Sequence, residues 1–131
     1  QHGYASSKVL IDARMQEVYF GHYFVDTTEA EPVARERQPE AVLSPEDAVA
    51  KFAELSDDVQ PCGNAGTGWE AYDEALQAAR DSVEVKVLYP SAEFMLPLAL
   101  KAFKAGETIS VDDISPVYLR DKVTWKKLPG R

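Results

Sequence analysis

The sequence predicts an α/β domain: a mixed sheet in the element order βββαβαβα, with helices on both faces. Three observations predict it. Two runs rich in β-branched and aromatic residues open the chain, with only Arg14-Met15-Gln16 between them. A helix-start signal, Ser44-Pro45-Glu46-Asp47, then marks a change to helical spacing. After it, short apolar runs alternate with amphipathic stretches, the pattern of right-handed crossovers in a sheet.

The first strand is expected over residues 8–13, where Val9, Leu10 and Ile11 are consecutive. The second is expected over 18–25, with Tyr19, Phe20, Tyr23 and Phe24. Both strands carry apolar residues on both faces, which predicts a central pair covered on both sides. Gly21 marks a bulge or a close backbone approach. Residues 26–39 are charged, contain Pro32 and Pro39, lack a period and are expected to form a loop. A third strand is expected over 40–43. Ser44 can cap the following helix, Pro45 suits its first position, and Ala48, Val49, Phe52 and Leu55 repeat at helical spacing. Residues 59–62 read as a short strand entering a glycine-rich turn. Residues 69–80 read as a helix with Trp69, Tyr72, Leu76 and Ala79 on one face, and 83–88 as another strand. A last helix over 92–105 is capped by Ser91 and stopped by Gly106, with Pro97 in its early turns or at a kink. Residues 114–119 are expected to be extended.

A chain of 131 residues is one domain, expected to span 1–117 and to be followed by a basic tail over 118–131. It opens at Gln1 rather than Met, so its beginning is expected to lie upstream. No apolar run approaches the roughly 18 residues a membrane span needs. The one cysteine, Cys62, excludes an internal disulfide, which favours a reducing compartment and a cytoplasmic location. A net charge of −8 argues against direct contact with nucleic acid. Arg120, Lys122, Lys126, Lys127 and Arg131 crowd the end. They form either a solvated tail or a docking strip for an acidic surface.

Candidate chemistry is sparse. His2 and His22 are far apart, and no pair of His or Cys residues has metal-ligand spacing. His22 reads as a half-buried structural residue. Cys62 precedes a glycine-rich turn but has no evident base, and reads as a buried structural cysteine. Asp12 ends a buried strand, where an acid is unexpected. It could hold a metal-bound phosphate, but pairing with Arg14 or with the neighbours of Glu17 across the hairpin turn is favoured. Gly63, Gly66 and Gly68, between a strand and a helix, match the physical recipe for a nucleotide or other anion. They match neither G-x-G-x-x-G nor the P-loop pattern. A plain strand-to-helix turn explains them equally well.

The element order resembles that of the ribonuclease H-like lobes of the actin-like ATPase superfamily. Within it, residues 11–19, Ile-Asp-Ala-Arg-Met-Gln-Glu-Val-Tyr, look like the hairpin signature of the TsaB (YeaZ) family, in its glycoprotease-like branch. Gly66-Thr67-Gly68-Trp69, residues 92–99, Pro116-Val117-Tyr118-Leu119-Arg120 and Trp125-Lys126-Lys127-Leu128-Pro129-Gly130 are similar to further segments of that family, in order. The resemblance implies a subunit of the machinery that makes threonylcarbamoyladenosine at position 37 of tRNA. It implies a non-catalytic scaffold, partnered by a TsaD-like catalytic paralogue and a TsaE-like ATPase, touching tRNA only indirectly and without proteolysis. The family's N-terminal lobe, with its Asp-Thr start and Gly-Pro-Gly-Ser-Phe-Thr-Gly segment, has no counterpart here. The match is therefore to the C-terminal lobe alone. By the same resemblance, a homodimer would form largely through the absent lobe, no metal is held, and ATP would need both lobes. A nucleotide half-site built on Gly63, Gly66 and Gly68 is the alternative function.

Overall fold

A computed structural model describes residues 3–28, 32–55, 59–80, 85 and 87–120. β1 (Ser6–Arg14) and β2 (Glu17–Asp26) form the expected hairpin, with Leu10 opposite Phe20 and Val9 opposite Gly21. Arg14, Met15 and Gln16 turn the chain with φ of 63°, 59° and 62°, a backbone region that non-glycine residues adopt only when held there. Asp12 supplies the hold, since its Oδ1 accepts from the Arg14 N–H at 2.9 Å.

β3 (Val33–Leu43) pairs antiparallel with β2 and corrects the expectation of a loop up to Pro39. The reason is its place in the sheet. In the order β3-β2-β1-β4 it is an edge strand. An edge strand tolerates proline and carries charge on its free side. Two register shifts, on either side of the His22–Gln38 pair, also erase the period of two.

β4 (Cys62–Ala65) runs parallel to β1, with Ser7 opposite Gly63 and Val9 opposite Ala65. The sheet is therefore mixed, as expected, but its fourth strand starts three residues later than the 59–62 reading. Of the strand expected over 83–88, the described residues show one parallel bridge, Ala65 to Val87. There the Gly66 N–H donates to the Val87 carbonyl at 2.7 Å. Residues 83, 84 and 86 lie outside the described residues.

α1 (Pro45–Ala53) begins as its sequence dictates: Ser44 Oγ accepts from the Asp47 N–H at 3.1 Å, with Pro45 in the first turn. The helix expected over 69–80 is broken instead into α2 (Gly68–Ala71), α3 (Asp73–Leu76) and a 3₁₀ turn through Ala79. Tyr72 leaves helical geometry at φ −130°, ψ 40°. The last helix is shorter than expected. Residues 92–95 wind as a 3₁₀ turn without a side-chain cap from Ser91, and α4 (Leu96–Lys104) follows with Pro97 in its first turn. Gly106, at φ 75°, ends it, its N–H donating to Phe103 and that of Glu107 to Ala102. Residues 114–119 form no strand.

The core lies between one sheet face and α1 to α3. Leu10, Val18, Phe20, Ala48, Phe52, Trp69, Leu76 and Ala79 are its buried members. Phe52 is central, its ring centroid 4.6 Å from Phe20 and 6.1 Å from Trp69. A polar row crosses the sheet beside it. Gln38, His22, Lys8 and Asn64 are successive cross-strand partners, and all are buried. His22, expected to be half-buried, is fully buried, with Nδ1 2.7 Å from Gln38 Oε1. The expected second helical layer is not found among the described residues. On the opposite sheet face Val9, Ile11, Tyr19 and Val42 stay partly exposed.

Asp26 closes β2. Its carboxylate accepts from the Thr28 hydroxyl (2.6 Å), the Thr28 N–H (3.0 Å) and Arg35 Nε (3.0 Å). These donors, Thr28 first, lower its pKa from 3.8 to about 2. A lowered native pKa contributes stability that is present above the unfolded value and lost as pH falls through the native one. The Asp26→Asn change should therefore flatten the stability–pH curve between pH 3.8 and about 2. Curves parallel to the parent across that window would show that the turn contributes nothing.

Candidate functional site

β1 and β4 are parallel neighbours, so their carboxyl ends point to the same edge of the sheet, with β4 ending opposite Val9 and β1 running on to Arg14. In open α/β sheets that edge is where ligands bind. The polar groups there centre on Asp12. Its N–H donates to Thr67 Oγ1 at 3.1 Å, and its Oδ1 accepts from the Tyr72 hydroxyl at 3.2 Å. Its Oδ2 pairs with the Arg14 guanidinium at 3.2 Å. Of the two pairings expected for Asp12, with Arg14 or with the neighbours of Glu17, the one with Arg14 is observed. Desolvation, followed by the Asp12 charge, pushes the Tyr72 phenol up from its ordinary value.

Arg120 completes the cluster from the far end of the chain. It donates to the Ala13 carbonyl at 3.1 Å, pairs with Glu17 at 2.6 Å and approaches the Met15 sulfur at 3.2 Å. Its side chain is only 13% exposed. Arg120 was expected within a tail starting at 118, yet it is folded onto the hairpin. Lys122, Lys126, Lys127 and Arg131 lie outside the described residues. An Arg120→Ala change should cost about 1–3 kcal/mol, the worth of hydrogen bonds to a charged group that is largely shielded from water. Chemical denaturation measures this, and an unchanged midpoint would mean that the contact is not held in solution.

The three glycines do not line one cradle. Gly63 is in β4, where an added Cβ would lie 2.5 Å from the Tyr4 ring. Gly66, at φ 99°, would place a Cβ into the Leu10 carbonyl oxygen, and Gly68 would place one 3.0 Å from the Leu10 backbone. A close strand-to-helix turn against β1 therefore accounts for Gly66 and Gly68. The Gly66 N–H is committed to Val87. Cys62 is buried, as expected of a structural cysteine. Trp69, directly after the turn, is a core residue, with Nε1 donating to the Ala65 carbonyl at 3.0 Å.

Among the described residues no group of three or more His, Cys, Asp or Glu could hold a metal ion. No helix among them is long and apolar enough to cross a membrane. Sequence reasoning found Asp12 and Arg14 but missed Thr67, Tyr72 and Arg120 as their neighbours. Tyr72 packs against the core as expected, and its hydroxyl reaches Asp12.

No family model matches the chain. Two curated relatives do, both described as tRNA threonylcarbamoyladenosine biosynthesis protein TsaB. The one from Escherichia coli K12 is 40% identical over 122 residues, and the one from Haemophilus influenzae is 38% identical over 125. Each match covers 92% of this chain and 50% of the relative, so the chain spans about half the length of the curated relatives it matches. Among solved structures, a Pseudomonas aeruginosa protein described as similar to peptidase YeaZ superposes with a TM-score of 0.74 at 35% identity. It covers 92% of this chain and 51% of that one. A second, YeaZ from Pseudomonas aeruginosa, gives 0.69 at 34%, covering 90% and 51%. The chain resembles the TsaB (YeaZ) proteins over nearly its whole length.

Proposed function

We propose that this chain is a non-catalytic scaffold lobe in tRNA threonylcarbamoyladenosine biosynthesis. It would hold a TsaD-like catalytic paralogue and a TsaE-like ATPase. The observation that carries the reading is the resemblance, at 38–40% identity over 92% of the chain, to relatives named for that process. Asp12, the acid at the end of β1, bonds to Arg14, Tyr72 and Thr67 and so is engaged in the fold. A net charge of −8 suits contact with protein partners rather than with tRNA phosphates. The β1–β2 hairpin, the edge strand β3 and the crossover through α1 to a parallel β4 support a ribonuclease H-like lobe. The lobe has no resident cofactor on this reading. ATP would require the half that this chain does not match, and the setting is cytoplasmic.

The test is binding of the chain to a TsaD-like and a TsaE-like protein, read by calorimetry beside a full-length TsaB. Saturable binding weaker than that of the full-length protein is expected, with no threonylcarbamoyl transfer by the chain alone. No binding where the full-length protein saturates would overturn the scaffold reading, and transfer by the chain alone would overturn its non-catalytic half. A titration with Mg-ATP, read by amide shifts, separates the alternative. Saturable shifts at Gly63 to Trp69 would favour a nucleotide half-site, whereas none are expected.

A further inference from the structure

The turn between β1 and β2 has a shape that its own sequence does not specify. Arg14 pairs with Glu17, so Met15 and Gln16 form a two-residue loop, and φ is positive at both. That loop form is dominated by asparagine followed by glycine, the residues that enter the left-handed region most readily. Here methionine and glutamine stand in the two places. Arg14 before them is left-handed as well, at the register shift that follows Asp12. Each of the three crowds its Cβ against a carbonyl oxygen. Such residues persist only where the surroundings over-determine them. Asp12 holds the first, through the Arg14 N–H and guanidinium.

Arg120 supplies the rest of the hold. Its guanidinium spans the mouth of the turn, bonded to the Ala13 carbonyl on one strand and to the Glu17 carboxylate on the other. It also reaches the Met15 sulfur in the loop. One side chain thus fastens both strands and the tip. The strap that delivers it, residues 107–118, is exposed throughout, and the chain is partly buried again only at Leu119 and Arg120. Those two residues are the foothold of the strap. We infer that Arg120 is a latch: the turn keeps its left-handed form while Arg120 is seated and relaxes to a looser loop when Arg120 lifts. The latch reaches the polar cluster at the end of β1. The Arg14 N–H meets Asp12 because the backbone at Arg14 is left-handed, so a lifted latch frees Arg14 from Asp12 and leaves the Tyr72 and Thr67 bonds in place. The seating of a residue more than 100 positions away is in this way transmitted to Asp12.

Hydrogen–deuterium exchange of the 131-residue chain tests the latch, read at residues 13–18 with α1 as the reference. Arg120→Ala should speed exchange at 13–18 by roughly tenfold or more and leave α1 nearly unchanged. Gln16→Gly supplies the residue that the loop form prefers and keeps the Met15 sulfur. In that background the acceleration caused by Arg120→Ala should shrink by roughly threefold or more. An unchanged rate at 13–18 in Arg120→Ala would show that the turn holds itself, and the inference fails. It fails too if the acceleration is the same size with Gly at position 16, or if α1 accelerates equally, since Arg120 would then only add to overall stability. Should Arg120→Ala not fold, Glu17→Gln is read in its place. It keeps the guanidinium and removes only the ion pair, and a smaller acceleration confined to 13–18 and relieved by Gln16→Gly is expected. No acceleration, or one that Gln16→Gly does not relieve, overturns the latch.

Discussion

Replacing Trp69 with alanine is expected to destabilise the chain by about 3–5 kcal/mol, the largest loss of any single side chain in the core. The indole is fully buried and stacked on Phe52, and it donates to Ala65 in β4. It therefore joins the strand-to-helix turn to the centre of the core. A one-sided core has little surplus, and a domain of this size has only about 5–15 kcal/mol in total. The alanine variant should be close to unfolding at physiological temperature. Urea denaturation would show a lower midpoint at unchanged slope. Trp69→Phe should lose less, because it keeps the stack and forfeits the bond to Ala65. A midpoint unchanged in the alanine variant would place the ring outside the core.

The elements that local chemistry dictates were legible in the sequence, and those that depend on long-range position were not. Ser44, Pro45, Glu46 and Asp47 specify a helix start on their own terms, and the structure has it there. Gly106 likewise ends α4. β3 was hidden because its strand character comes from pairing with β2 along one edge. Its own residues, Arg35, Glu36, Arg37 and Glu40, are those of a solvent-facing border. β4 was displaced because Cys62-Gly63-Asn64-Ala65 has no β-branched residue. Its place is set by β1 on one side and Val87 on the other.

The candidate site divides the same way. Asp12 and Arg14 are two residues apart, so their pairing could be read from the hairpin. Tyr72 and Arg120 reach the hairpin from 60 and more than 100 positions away. Chain distance carries no signal of that approach. The last helix is a third case. Its existence was legible from Ser91, Pro97 and Gly106, but nothing in its sequence said that Leu96, Leu100 and Phe103 would face outward.

Gly66→Ala is expected to cost about as much as the loss of Trp69, and the pattern across three glycines decides what they are for. At Gly66 an alanine meets two penalties. Its φ of 99° is a region that side chains rarely adopt, at about 1–3 kcal/mol. Its Cβ would also overlap the Leu10 carbonyl oxygen, which cannot rotate away, at about 1–3 kcal/mol more. Gly68→Ala meets only the second kind of penalty, at the looser distance of 3.0 Å from the Leu10 backbone. Gly63→Ala meets the Tyr4 ring at 2.5 Å, so the whole ring must shift, but no backbone atom stands in the way. Thermal or urea midpoints should therefore fall most for Gly66, by about 2–6 kcal/mol, and less for Gly68 and Gly63. Glycines kept for a phosphate would behave in the opposite way. Their alanine variants would keep the parent's midpoint and lose only a response to nucleotide. A graded loss of stability assigns the turn to the closure of β4 and α2 onto β1. Equal midpoints in all three variants would return the segment to the ligand reading.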